Sequence, residues 1–349
     1  MIFRLALFSV SALAGMAFKW LQMPIPWLLG ALAVALFVKA RVDETAEWPR
    51  LYRSAGLIVV GYSVGRYLTL DALNGISGQL PGMLAATLSS IIVALLIACL
   101  TARQEGLDLQ SCVMGIMPGG FTQMAVMCDE DGRADKNIVV LMQSLRLMSV
   151  IAAVPFLAIH VLDGRPVGSE FSLIVDNGIP YWYVLPLAAV GGYVADRLGV
   201  ATPYLMAPII VAIAASLQIG SLNTVDPFLM AAAQISIGLN IGMGMDPKKL
   251  RELKRLLPYT FAGIFVMLVV NILVAVLLAR YYGYSLVTAF LAMAPGGLGE
   301  MCLVGLSLNE NVSVILTYQL FRFLFLNIAV PLGLNHFFAK KAAKGAQAG

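Results

Sequence analysis

Charge, histidine and nucleotide-binding glycine loops are scarce or missing in this sequence. Only 12% of the 349 residues are charged, where a soluble domain carries about a quarter, so there is no room for an ordinary water-facing exterior. Two histidines, His160 and His336, are too few for copper or non-haem iron, which needs clustered His, carboxylate or thiolate ligands. No G-x-x-x-x-G-K-[ST] loop, G-x-G-x-x-G fingerprint or nucleophile elbow is present, which argues against nucleotide-driven transport, dinucleotide chemistry and serine hydrolysis. The four cysteines, Cys99, Cys112, Cys128 and Cys302, have no C-x-x-C spacing and read as packing residues. The chain is therefore not expected to be an enzyme, and no cofactor or metal is expected.

What is abundant is hydrocarbon. Hydrophobic residues make up 60% of the chain and the mean hydropathy is +0.87, the composition of a polytopic membrane protein. The net charge of +4 comes from basic residues crowded into a few loops, a matter of orientation rather than nucleic-acid binding.

Two stretches do not belong in a continuous helix. Met117-Pro-Gly-Gly-Phe-Thr-Gln-Met-Ala-Val-Met127 contains Pro118, Gly119, Gly120, Thr122 and Gln123, and it returns as Ala294-Pro-Gly-Gly-Leu-Gly-Glu300 with Pro295, Gly296 and Gly297. Proline removes a donor and drives the preceding residue out of the α region, while glycine permits close approach. In hydrocarbon such a break must be covered by protein or line a cavity, which points to a binding or transport site.

The recurrence extends along the chain. At an offset of 177, Gly192 falls on Gly15, Pro203 on Pro26, Gly238 on Gly61, Gly242 on Gly65, Pro258 on Pro81 and Pro295 on Pro118. After one deletion the offset is 176, with Gln319 on Gln143, Arg322 on Arg146, Pro331 on Pro155 and His336 on His160. Residues 1–162 form one repeat, 163–180 a polar linker, 181–338 the second repeat and 339–349 a basic tail. Arg4 before an apolar run resembles a secretion signal, but cleavage would remove the first helix of only one copy.

Each repeat carries six apolar segments; in the first they run over 3–20, 27–38, 54–70, 81–100, 107–127 and 137–162. The loop with Lys248, Lys249, Arg251, Lys254 and Arg255 and the tail with Lys340, Lys341 and Lys344 should both be cytoplasmic. Three apolar segments separate them, so one does not cross. If that one is the Pro-Gly-Gly segment, entering as a re-entrant hairpin, the loop with Arg41, Arg50 and Arg53 is also inside and the Asp71–Leu80 loop outside. The expected fold is all-α: an inverted repeat of about ten transmembrane helices plus two Pro-Gly-Gly hairpins, in the bacterial cytoplasmic membrane, with both termini cytoplasmic. Broken helices that cross are the alternative.

The duplicated Pro-Gly-Gly segments, the Pro24-Ile-Pro-Trp-Leu-Leu-Gly30 stretch and the Gln143-x-x-Arg146 pair resemble the AbrB-type membrane-protein duplication family over nearly the whole chain. That family shares only a name with the small DNA-binding transition-state regulators. Its members have carried ammonia monooxygenase and regulator labels, and its fold is similar to inverted-repeat carriers of the bile-acid symporter and cation-antiporter kind. The resemblance implies a transporter and supplies no substrate.

Ionisable groups inside the apolar segments are the candidate site. Arg146 is the tenth residue of its segment, about 15 Å deep, near the centre of a ~30 Å core, and Arg322 matches it. Each arginine needs an anionic partner, broken-helix carbonyls or a ligand. Gln143 and Gln319 lie one turn away on the same faces. Glu300 is the carboxylate beside the breaks, and its repeat mate is Gln123. This asymmetry suits a site for a coupling proton or sodium ion; an ion pair with an arginine and a cavity-mouth position are the alternatives. Gly61-x-x-x-Gly65 and Gly238-x-x-x-Gly242 read as close helix packing. The expected function is a gradient-driven secondary carrier of a small, carboxylate-bearing solute coupled to H+ or Na+. Its partners would be that solute, the ion and membrane lipid, with no nucleic acid and with a homodimer left open. A membrane-embedded sensor or regulator is the alternative.

Overall fold

In a computed structural model of the chain, the residues described are 2–68, 70–118, 124, 128, 134–164 and 178–328. Among them the protein is helical, with no strand beyond one isolated bridge between Ile179 and Leu222. The helices are α1 (Ile2–Trp20), α2 (Pro26–Arg41), α3 (Arg50–Gly65), α4 (Leu70–Glu105), α5 (Leu109–Ile116), α6 (Lys136–His160) and α7 (Tyr181–Arg197), then α8 (Pro203–Ile219), α9 (Pro227–Met243), α10 (Pro247–Glu252), α11 (Leu256–Tyr282), α12 (Leu286–Met293), α13 (Leu298–Ser307) and α14 (Val312–Ile328). Four stretches, Phe3–Trp20, Gly78–Glu105, Lys136–His160 and Leu256–Tyr282, are long and apolar enough to cross a membrane, and α8, α9, α13 and α14 supply shorter apolar helices. On α11 the residues Phe261, Phe265, Val269, Leu273 and Leu277 recur every fourth position and are all exposed. An apolar stripe turned outward on a helix this hydrophobic is a lipid-facing surface. The chain is an all-helical membrane protein.

Local chemistry sets the helix starts. Pro227 and Pro247 occupy first helical positions behind Asp226 and Asp246, whose carboxylates accept backbone N–H bonds of 2.8 Å from Phe228 and 2.9 Å from Lys248. Pro26 and Pro203 open α2 and α8 behind residues in the left-handed region, Ile25 at φ 47° and Thr202 at φ 49°. A β-branched residue rarely adopts that conformation. Its occurrence at two positions 177 apart means that the same strained entry is built twice.

The helices pack as two groups. One contains α1, α2, α3, α7, α8 and α9; the other contains α4, α5, α6, α11, α12 and α13, and the groups meet chiefly where α3 touches α13 and where α6 touches α9 and α10. Inside the first group the contacts are reciprocal. A methyl built on Gly61 would lie 2.8 Å from both the Leu205 carbonyl oxygen and Pro208, and one on Gly65 would lie 2.6 Å from the Ile209 oxygen. The matching glycines meet the matching residues: Gly238 abuts the carbonyl of Leu28 and the side chain of Ala31, and Gly242 abuts Leu32 and Ala35. Four residues along α3 or α9 move the contact four residues along α8 or α2, so each of these helices runs in the same direction as its neighbour.

Two expectations about segment ends fail. Asp71–Leu80, expected as a loop, is part of α4. The helix passes through Pro81 because Tyr282 on α11 receives the Gly82 N–H through its hydroxyl oxygen at 3.1 Å, so the donor set loose by the proline kink is satisfied. Arg53, expected in a basic loop with Arg41 and Arg50, lies inside the first turn of α3 and is half-buried. The linker is described only at 163, 164 and 178–180, and 329–349, with His336 and the basic tail, lies outside the described residues.

Candidate functional site

Both breaks form where the proline requires them. Helix α5 ends at Ile116, Met117 is extended at φ −59° and ψ 130°, and Pro118 follows. Helix α12 ends at Met293, Ala294 is extended at φ −53° and ψ 132°, and Pro295 follows. A helix stopped in this way leaves its last carbonyls without intrahelical partners. Arg146 and Gln143, one turn apart on α6, supply them in the first repeat. Arg146 Nη1 donates to the oxygens of Ile116 at 3.2 Å and Met117 at 2.5 Å, and Gln143 Nε2 to those of Met114 at 2.6 Å and Met117 at 3.0 Å. In the second repeat α14 does the same. Arg322 Nη1 donates to Met293 O at 2.6 Å and Ala294 O at 2.8 Å, and its Nη2 reaches Gly296 O at 3.4 Å and Gln319 Oε1. Gln319 Nε2 donates to Leu291 O at 2.8 Å and Ala294 O at 3.2 Å. All four side chains are buried.

Of the readings open for the two arginines, the geometry is that of a carbonyl clamp. The guanidiniums are committed to backbone oxygens. The cavity beside the first clamp, lined by Gly115, Ile116, Met142, Arg146, Thr260 and Gly263 among others, measures about 10 Å³. That holds one water at most and no organic solute.

Polar contacts also join the start of each broken segment to the start of the helix that follows it. Ser285 caps α12, and Glu310, just before α14, accepts hydrogen bonds from the hydroxyls of Ser285 and, at 2.6 Å, Thr288. The Asn311 N–H donates to Thr288 Oγ1 at 3.1 Å. The end of the α12–Pro-Gly-Gly–α13 segment therefore sits beside its beginning. In the first repeat Asp108 caps α5 through Ser111, and the Asp135 N–H at the start of α6 donates to Ser111 Oγ at 2.7 Å. Ser285, Thr288 and Asn311 fall on Asp108, Ser111 and Asp135 at offsets of 177, 177 and 176, whereas Glu310 falls on Ala134 and has no polar mate; none of them is among the expected site residues. Their signal in the sequence was ordinary helix capping.

Glu300 stands apart from the clamps. It occupies the first turn of α13, whose N-cap is Gly297, and it is half-buried. Its carboxylate folds back over Gly297 so closely that any side chain there would collide with it, and a methyl on Gly296 would lie 2.5 Å from Met301. Neither glycine has a positive φ. Their role is close approach rather than backbone freedom. Among the described residues Glu300 makes no hydrogen bond or ion pair to another residue, and Arg146 and Arg322 do not reach it. Gly119, Gly120, Thr122 and Gln123 lie outside the described residues. Pro118, Gln143 and Arg146 are gathered at one break, and Pro295, Gly296, Gly297, Gln319 and Arg322 at the other.

The chain covers two known proteins almost end to end. It is 27% identical to "Putative regulator AbrB" of Escherichia coli (strain K12) over 341 residues, spanning 96% of this chain and 97% of that protein. It is 23% identical to "Uncharacterized protein YhjN" of Bacillus subtilis (strain 168) over 349 residues, spanning 93% of this chain and 90% of that protein. The family model described as "Transition state regulatory protein AbrB" matches residues 27–338, and with the duplicated clamps and breaks inside that span, the chain belongs to the AbrB family.

Proposed function

We propose that this protein is a gradient-driven secondary carrier of a small carboxylate-bearing solute, coupled to H+ or Na+ through Glu300, rather than an enzyme. The observation that carries the reading is the unequal treatment of polar groups at the two breaks. Every clamp residue is duplicated and committed to carbonyls, whereas Glu300 has no duplicate and no direct partner among the described residues. A lone carboxylate in the first turn of a half-helix, unmatched in the other repeat, is the kind of group that can take up a proton or a sodium ion. The solute would bind at the half-buried Gly296–Glu300 turn, because the space beside Arg146 is too small.

The same proposal makes the two repeats inverted, with ten crossings and two re-entrant hairpins. Helix α9 runs with α2, and α3 with α8. The connector 42–49 would have to be fully extended, at about 30 Å, to recross a ~30 Å core, yet it is folded into turns, the Asp43 N–H donating to the Val38 oxygen and the Ala46 N–H to the Asp43 oxygen, so α2 and α3 cross in opposite senses. Helix α3 and its mate α9 then also oppose one another. Glu44 pairs with Lys248 at 3.6 Å and Arg251 at 3.7 Å, so the two basic loops share a face, the cytoplasmic one by their charge. Counting crossings from there puts both termini inside. Single cysteines at Glu47 and Lys249 should resist a membrane-impermeant maleimide added to intact cells, while one at Ser221 reacts. Labelling of all three from outside would remove the inversion.

The printed name of the Escherichia coli relative favours a second reading, a membrane-embedded regulator that binds a ligand without moving it. Counterflow separates the two. Proteoliposomes preloaded with organic acids should accumulate labelled acid if the chain is a carrier, and Glu300→Gln should abolish dependence on the ion gradient. Absence of counterflow across the organic-acid panel would favour the regulator. Counterflow with gradient dependence intact in E300Q would remove Glu300 as the coupling site.

A further inference from the structure

Backbone geometry does not explain why residue 297 is glycine. Its φ of −72° and ψ of 146° suit any residue. What requires glycine is space: the three heavy atoms nearest to a methyl built there are Glu300 Oε2, Cδ at 2.7 Å and Oε1 at 3.2 Å. The carboxylate thus lies in the volume where a side chain of residue 297 would begin. The N–H groups of Leu298, Gly299 and Glu300 precede the first intrahelical bond, Met301 N–H to Gly297 O at 3.0 Å, and have no helical acceptor. One residue before the glycine, Arg322 Nη2 reaches the Gly296 oxygen at 3.4 Å. Helix start and guanidinium both favour an anion at this turn, and the anion that rests there is a carboxylate.

Two observations separate this arrangement from an ordinary helix cap. Where a side chain caps another helix start among the described residues, it belongs to the residue just before the helix, as at Asp108, Asp135, Asp226, Asp246 and Ser285. At α13 that position is bare glycine, and the carboxylate comes from within the first turn, on an arm that rotamer changes can withdraw. The second observation is in the repeat. Gly297-x-x-Glu300 falls on Gly120-x-x-Gln123 at the 177 offset. Both copies keep the glycine and a planar end group of the same shape three residues on. They differ in its charge, the property on which displacement by a cation depends.

We propose that the space over Gly297 is a carboxylate subsite that Glu300 fills itself, and that a proton or sodium ion on Glu300 vacates it for the carboxylate of the solute. Cation and solute then bind in order, because one carboxylate must leave before the other enters. An ionised side chain is held at the helix start by electrostatic attraction, and a neutralised one is held less. The order of binding rests on the carrier reading; the subsite does not. Charged and titratable groups on the neighbouring elements are few. Helix α12 carries none, and α3 and α8 meet this turn with Val60 and Leu205. Arg322 is bound to carbonyls, the buried Cys302 follows on α13, and Arg50 and Arg53 lie about two turns or more before Val60 on α3.

The test is chemical rescue with acetate. Glu300→Ala removes a methylene and its carboxylate, a group with the size and charge of acetate, and so empties the subsite. Melting temperatures of the purified full-length protein, E300A, G297A and E300A/G297A are measured in choline chloride and in choline acetate of equal ionic strength, at about pH 8, where carboxylates are ionised. Acetate should raise the melting temperature of E300A by about 2 °C or more and leave the parent unchanged, because its subsite is full. G297A should melt below the parent. In the E300A background, where the clash is gone, it should cost little and should abolish the acetate response. In the parent, acetate should act only when sodium replaces choline or at about pH 5, where Glu300 is paired or protonated. No response in E300A, or the same response in E300A/G297A, would remove the subsite. An equal response in E300A and in the parent in choline would show that acetate binds elsewhere. A parent unresponsive in both sodium and acid would remove the displacement by a cation. If E300A does not fold, E300S is used in the same design. The acetate response is read without transport, so its failure is distinct from failure of the carrier.

Discussion

Arg322→Ala and Arg146→Ala are expected to be among the most destabilising single substitutions in this protein, and to be so with no ligand present. Arg322 serves the carbonyls of Met293, Ala294 and Gly296. Three charge-assisted bonds at about 1.5–3 kcal/mol each outweigh the ~2.5–3.5 kcal/mol that inserting a central arginine costs. The net loss on truncation is therefore about 2–5 kcal/mol, read as unfolding of the detergent-purified protein. Arg322→Lys should recover only part, since an ammonium cannot reproduce the planar fork that spans adjacent carbonyls. Gln319→Leu, which frees the oxygen of Leu291 and leaves that of Ala294 to Arg322 alone, should cost about 1–3 kcal/mol. An unliganded R322A as stable as the parent would end the clamp and return the arginine to the solute. The experiment therefore decides between the two roles that the sequence leaves open.

Much of this arrangement was legible because it depends on local chemistry repeated at a fixed offset. A proline after an apolar run stops a helix wherever it stands, so Pro118 and Pro295 announced the breaks. Gln143-x-x-Arg146 and its mate announced two buried polar faces by helical spacing alone. What could not be read was which groups those faces meet. Arg53 follows Arg41 and Arg50 within a dozen residues, and a cluster of basic residues beside an apolar run looks like a loop; the structure places it inside the first turn of α3, half-buried. The Asp71–Leu80 segment failed for a related reason. Its polar residues and the following proline are turn signals, and the group that overrides them, the Tyr282 hydroxyl, is 200 positions away from its partner Gly82. The contacts at Ser285 and Glu310 likewise depend on a tertiary meeting of two helix starts.

Gly238→Val and Gly61→Val should each disrupt the first helix group, and by comparable amounts. The atoms facing these glycines include backbone carbonyl oxygens, of Leu28 and Leu205 respectively, and a main-chain oxygen cannot rotate out of the way as a side chain can. Accommodating a branched side chain means moving α9 off α2, or α3 off α8, with the loss of packing on both faces of the seam. Overpacking of this kind costs about 1–3 kcal/mol where neighbours can adjust, and about 3 kcal/mol or more is expected here because they cannot. Gly191 is the control. A methyl there would lie 3.5 Å from Val211 and 3.6 Å from Ala207, ordinary contact distances, so Gly191→Ala should be neutral or should stabilise α7 by up to about 1 kcal/mol through helix propensity. The comparison tests more than packing. If the two seams are equivalent by the repeat, the losses at Gly61 and Gly238 match within experimental error, and because α3 also packs on α9 their combination should depart from simple additivity. A large loss at one and none at the other would mean that the matching contacts are not energetically equivalent. The symmetry of the two helix pairs would then be a likeness of sequence only.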